Sequence, residues 1–186
     1  MNLLHAHVHP WVTVAAGAAA LALALMFLTG GYASVLRRRA GRPVPEGRPT
    51  KRYDANAVLQ FIKDVGNSGW HVYRMQLIWD VVFAILLGVA GVVLADGILG
   101  LLLGPDSPWR FLSFLPALAG LADVAEDLLL LYGVGKVPAA ALPHPGSVAT
   151  AWGFTIAKFA LHFAWLALVV VAAQRLIVLG PWVPVA

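Results

Sequence analysis

The sequence predicts an all-α integral membrane protein, with four transmembrane helices, one cytoplasmic interfacial amphipathic helix, and both termini outside. Three observations carry that expectation. Of the 186 residues, 60% are hydrophobic and only 12% charged, whereas soluble domains run to about 45–50% apolar and about 25% charged. The mean hydropathy is +0.80, and the apolar residues gather into four long runs separated by Gly, Pro and charge. The basic residues are also concentrated: nine of the thirteen Lys and Arg lie between Gly30 and Arg74, the asymmetry that marks a loop on the cytoplasmic side. With no Cys in the chain, disulfides, thiolate metal sites and thiol redox chemistry are excluded.

The N-terminal segment carries His5, His7 and His9, which share one side of an extended chain and suit Cu²⁺ or Zn²⁺, although no fourth ligand is evident. Trp11 to Leu28 is eighteen residues without a charge, just long enough to span. Positive charge follows this run rather than preceding it, so residues 1–36 read as an uncleaved anchor with its N-terminus outside. Residues 37–53 read as a basic Pro/Gly linker. Its seven basic residues (Arg37, Arg38, Arg39, Arg42, Arg48, Lys51 and Arg52) face one acid. Attraction to anionic lipid, about 1 kcal/mol per basic side chain near the surface, accounts for them without nucleic acid.

Residues 54–186 form the main unit. Asp54 is placed to cap a helix and Gly66 to end it. Val58, Leu59, Ile62 and Val65 share one face, which suggests a helix lying on the cytoplasmic leaflet, with Trp70 and Tyr73 following as interface anchors. The second span covers about Met75 to Ala95 and contains Asp80, with Gln76 near it on the helical wheel. Ala84 and Gly88 form a small-xxx-small pair that permits close helix approach. The outer connection 96–109 is unusually apolar, and its helicity is open. The third span, Arg110 to Gly135, contains Pro116 about two turns in, where a kink is expected. The fourth, about Ala151 to Leu179, carries Lys158 and His162 one turn apart.

The third span sets the problem that the rest must solve. Asp123, Glu126 and Asp127 fall within five positions, and a carboxylate in the hydrocarbon region costs roughly 2.5–3.5 kcal/mol, so all three must face protein, water or an ion. At about 1.5 Å per residue, Asp80, Glu126, Asp127 and Lys158 lie in one layer roughly 8–13 Å from the cytoplasmic helix ends, with Asp123 and His162 one turn deeper. Four acids against one lysine cannot be buried uncompensated, so some carboxylates are expected to be protonated, solvated or bound to a cation. The residues name no definite cofactor, and none is required; this oxygen-rich cluster has the ligand type to hold a cation such as Mg²⁺ or Ca²⁺, though no spacing in it is diagnostic. The plainer expectation is that Lys158 pairs with Asp80 or Glu126 and fixes the bundle.

From about Tyr53 to Leu179 the chain resembles a group of uncharacterised bacterial membrane proteins. The elements that carry the resemblance are VLQFIKDVG, Tyr73-Arg74, Asp80, and Ala122-Asp123-Val124-Ala125-Glu126-Asp127, which fits A-D-x-x-E-[ND]. The resemblance implies a shared polar layer and no particular activity.

The motifs of phosphate-binding loops, serine hydrolases and zinc proteases do not occur. The expected function is therefore a non-catalytic accessory or assembly subunit of a larger complex in the cytoplasmic membrane, partnered by other membrane subunits or its own copies. A proton- or cation-coupled carrier built on the acidic layer is the alternative, and a membrane-embedded lipid-modifying enzyme the third reading.

Overall fold

The computed structural model describes residues 10–47, 52–104, 106–135 and 143–179, which are overwhelmingly helical. His5, His7, His9, Arg48 and Lys51 lie outside them. Four helices follow in order: α1 (Pro10–Ala40), α2 (Ala55–Leu103), α3 (Leu115–Val134) and α4 (Pro145–Leu179), with 3₁₀ turns at Pro45–Gly47 and Pro108–Phe114. Three of the helices, α1, α2 and α4, are long and apolar enough to cross a membrane. The fourth, α3, packs three acids into 20 residues.

Each helix has local reasons for its limits. The anchor run does not stop at Leu28; α1 continues to Ala40, placing Arg37, Arg38 and Arg39 in its last turn. Cations there complement the helix dipole, so the expected boundary between anchor and linker falls inside the helix, which Gly41 follows at φ 66°. Asp54 caps α2 as the sequence suggests, its side chain accepting from the Ala57 N–H at 2.8 Å. Gly66 interrupts α2 at φ 68°, ψ 179°, a conformation open to glycine and little else. Beyond it the helix runs on through Asp96 and Gly97 to Leu103, so most of the first half of the outer connection is helical. Arg110 reaches back and grips Asp96 with two hydrogen bonds, at 3.0 and 2.5 Å.

Two expectations are corrected. Pro116 does not kink a span, because α3 starts at Leu115 and places Pro116 in the first turn. The missing N–H is an orphan there in any case, so proline is tolerated. The short helix before Gly66 also does not turn its apolar face to lipid. Val58, Phe61, Ile62 and Val65 are buried in one cluster with Leu36, Tyr73, Leu130, Val134 and Val148. That cluster joins the end of α1, the start of α2, the end of α3 and the start of α4, so the helix seals this end of the bundle.

α2, α3 and α4 contact one another, and α1 lies along α2. Small residues set the α2–α3 separation. A Cβ on Gly120 would stand 2.7 Å from the Ala84 carbonyl oxygen, and one on Gly91 would stand 2.5 Å from the Pro116 Cβ. The Ala84–Gly88 pair picked out above is therefore the α2 side of this contact. At the other end of α3, a Cβ on Gly133 would come within 2.8 Å of Ser147 Oγ on α4.

The outward faces are apolar: Phe27 is 77% exposed, Phe163 68% and Leu121 63%. A surface like this suits lipid rather than water.

This packing makes glycine position-dependent. Gly120→Ala drives a methyl into a backbone oxygen and is expected to lower stability by about 1–3 kcal/mol, as overpacking does. Gly97→Ala meets nothing within 4 Å and should be neutral or slightly stabilising. Thermal unfolding of the detergent-solubilised variants measures both, and equal behaviour would contradict the close α2–α3 approach.

Candidate functional site

α3 and α4 meet along a polar seam. Asp123 and Glu126, nearly one turn apart on α3, both face Lys158 of α4. The ammonium stands 2.5 Å from Asp123 Oδ1 and 2.6 Å from Glu126 Oε2. The first contact is a directed hydrogen bond; the second lies off the line of one and is an ion pair in the electrostatic sense. Lys158 therefore pairs with Glu126, as one sequence expectation had it, and with Asp123 rather than Asp80. In doing so it joins the two layers in which the sequence placed these groups.

Glu126 is fully buried and is held from its other oxygen. Thr155, one turn before Lys158 on the same face of α4, donates to Glu126 Oε1 at 2.5 Å. Tyr53, just before the α2 cap, donates to the same oxygen at 2.9 Å and lies 3.0 Å from Thr155 Oγ1. The Tyr53 ring packs edge-on against Trp152 of α4 at 5.6 Å. Burial first, and then the neighbouring Glu126, push the Tyr53 hydroxyl well above its ordinary range, so it stays a neutral donor.

A second buried acid comes from the segment read as an extended linker. Glu46 is 5% exposed, takes a hydrogen bond from Tyr73 Oη at 2.9 Å, and receives a longer one from Gln76 Nε2 at 3.4 Å. Burial pushes its carboxyl up to about 8. The linker thus folds inward at Pro45–Gly47 rather than lying open, because the Val44 and Glu46 side chains both find partners in the bundle. Arg42 pairs with Asp64 at 2.7 Å, and Arg39 donates to Ser68 at 2.7 Å. Arg37, Arg38 and Arg52 are exposed.

The remaining polar residues surround this seam. Asp127 is fully buried, and neither of its carboxyl oxygens meets a donor among the described residues. Gln76 Oε1 is likewise without a donor. Asp80, Asp123, Lys158 and His162 line one cavity of about 440 Å³, and His162 Nδ1 sits 2.8 Å from the Lys158 carbonyl.

Among the described residues, interior carboxyl groups therefore outnumber interior ammonium groups: Glu46, Asp80, Asp123, Glu126 and Asp127 against Lys158. That excess cannot be held as bare charge in a low dielectric. Among the described residues, no three acidic or histidine side chains converge on a position that holds a metal ion.

Three members of the network escaped sequence reading. Thr155 offered the clearest signal, three residues before Lys158 and so on its face. Glu46 was the lone acid in a basic stretch, and Tyr53 offered none beyond its place before a cap. Compared with protein-family models, curated proteins and solved structures, the chain matches none.

Two outcomes test this site. Lys158→Met strands two carboxylates in the interior and is expected to cost about 3–5 kcal/mol, the usual penalty for breaking a buried pair. Adding Asp123→Asn and Glu126→Gln should recover most of it in thermal unfolding. A triple variant as damaged as the single would mean that the charges are not what holds the seam.

The raised Glu46 pKa has a definite sign. The folded state keeps the proton that the unfolded chain releases near the ordinary carboxyl value of 4.5, so stability is highest below that pH. It is lost as pH rises through the window from 4.5 to about 8. Glu46→Gln should flatten the wild-type decline across that window, and an unchanged slope would place the titration elsewhere.

Proposed function

We propose that the chain is an integral protein of the cytoplasmic membrane, its four helices crossing with both termini outside, and that it serves there as a non-catalytic subunit docking on other membrane helices. The observation that carries this reading is a groove of about 360 Å³ on the outward face of α2 and α3. Ala84, Gly88, Val92, Ala117, Gly120 and Leu121 line it. Between helices in lipid there is little hydrophobic drive, so association relies on close van der Waals contact, which small residues permit. The orientation rests on the arginines of α1's last turn, which sit at the same end as the Tyr53 and Glu46 contacts and favour the cytoplasmic side.

The polar seam fits a non-catalytic role. The Thr155–Glu126 pair, a hydroxyl on a carboxylate as in an activated nucleophile, is fully buried and offers no approach to a lipid substrate. A proton-coupled carrier is the second reading. It is favoured by the excess of interior carboxyl groups, and by Asp127 with two unpartnered oxygens.

Native mass spectrometry on protein extracted gently from its own membrane tests the first reading. The expected result is a stoichiometric membrane partner that is lost in Ala117→Leu, which fills the groove, while folded yield is kept. A lone monomer would overturn the docking role and leave the carrier.

A further inference from the structure

We propose that the buried chain Asp123–Lys158–Glu126–Tyr53 is a proton relay connecting a cavity at the α3 N-terminal end with a cavity at the arginine-bearing end of the bundle. This goes beyond the docking role and does not depend on it.

Four observations carry the proposal. The links are short: 2.5 Å from Asp123 to Lys158, 2.6 Å from Lys158 to Glu126, an ion pair that becomes a hydrogen bond once the ammonium rotates, and 2.9 Å from Glu126 to Tyr53. Residues at both ends of the chain border cavities. Asp123 lines a cavity of about 50 Å³ that extends along α2 and α3 to Gly91 and Pro116, and it also borders the larger cavity beside Asp80. Tyr53 lines a separate cavity of about 90 Å³ together with Arg42 and Arg52.

Those spaces have room for water, since one molecule needs only about 10–15 Å³ by this measure. Polar partners are present too: His162 and Trp165 line the 50 Å³ cavity, and the Trp165 indole N–H meets no acceptor among the described residues. Finally, the chain has more carboxyl groups than a clasp needs. One acid would neutralise Lys158, yet two touch it, and Glu126 adds two hydroxyl donors on its far side.

The chemistry balances. A proton taken up at Asp123 is passed to Lys158 as the ammonium yields one of its own to Glu126 Oε2. The carboxyl group turns over and donates to Tyr53 Oη, whose hydroxyl proton leaves to water in the arginine-end cavity. One proton enters and one leaves, and every group returns to its starting state. Tyr53 never has to ionise, which agrees with a hydroxyl that burial holds in the neutral form. Arg42 and Arg52 beside the exit disfavour a proton lingering there, while Thr155 keeps the Glu126 carboxyl in line.

The test uses the purified full chain in vesicles of mixed zwitterionic and anionic phospholipid, with a trapped pH dye and a potassium-diffusion potential. Wild-type protein is expected to acidify or alkalinise the lumen faster than empty vesicles, following the sign of the potential. Tyr53→Phe keeps the ring against Trp152 and removes only the hydroxyl. It should lower the rate by about a hundredfold, the low end of what one positioned proton-transfer group contributes.

Ser147→Ala deletes a buried hydroxyl off the path, one that donates to the His144 carbonyl, and should leave the rate unchanged; monodisperse elution shows that each variant is folded. Wild-type vesicles no faster than empty ones would overturn the relay, as would Tyr53→Phe at the wild-type rate. Neither result touches the docking role, which stands or falls on the partner seen by mass.

Discussion

Burying the Lys158 ammonium is the constraint on which the rest of the structure depends. Moving such an ion out of water costs several kcal/mol even after relaxation, and paired carboxylates offset it only when their geometry is held. Asp123 and Glu126 supply the charge at 2.5 and 2.6 Å. Thr155 and Tyr53 then hold Glu126 in place, so that a residue before α2 becomes part of the contact between α3 and α4. Close approach of α3 to both neighbours makes this possible, and Gly120 against Ala84 and Gly133 against Ser147 provide it.

The same requirement explains why one end of the bundle is sealed. Glu46, Tyr53 and Tyr73 would lose their hydrogen-bond geometry if lipid entered. The helix before Gly66 covers them with Val58, Phe61, Ile62 and Val65, and Gly66 provides the break that lets this piece turn away from the line of α2. The far half of the molecule is built differently. Among the described residues, it has few polar contacts besides the half-exposed Arg110–Asp96 pair and relies on small-residue packing, which a lipid solvent tolerates.

Between those halves the interior remains electrically unbalanced. Among the described residues, Asp127 and Gln76 carry buried oxygens without donors, and buried polar groups without partners are uncommon in stable folds.

Much of the fold was legible from composition and period. Four apolar runs, the arginine cluster and the Asp54 and Gly66 punctuation are local signals, and each is met in α1–α4. The acidic layer was legible as well, because depth along a helix follows from counting residues. Pro116 was misread because a proline two turns into an apolar run looks like a kink until the helix start is known. The apolar face before Gly66 was misread because hydrophobic periodicity shows which residues seek cover, not whether lipid or protein supplies it.

By itself, the sequence determined the helical class, the apolar exterior, the basic end and the presence of unaffordable charge in the segment that becomes α3. All of these depend on residue type and on spacing along one helix. Only the tertiary structure decided that Lys158 bridges Asp123 and Glu126, that Tyr53 and Thr155 complete the contact, and that Glu46 turns inward. These pairs are separated by 27 to 102 positions, and which side chains meet across helices is set by rotation and offset of the packed surfaces, quantities that no single helix encodes.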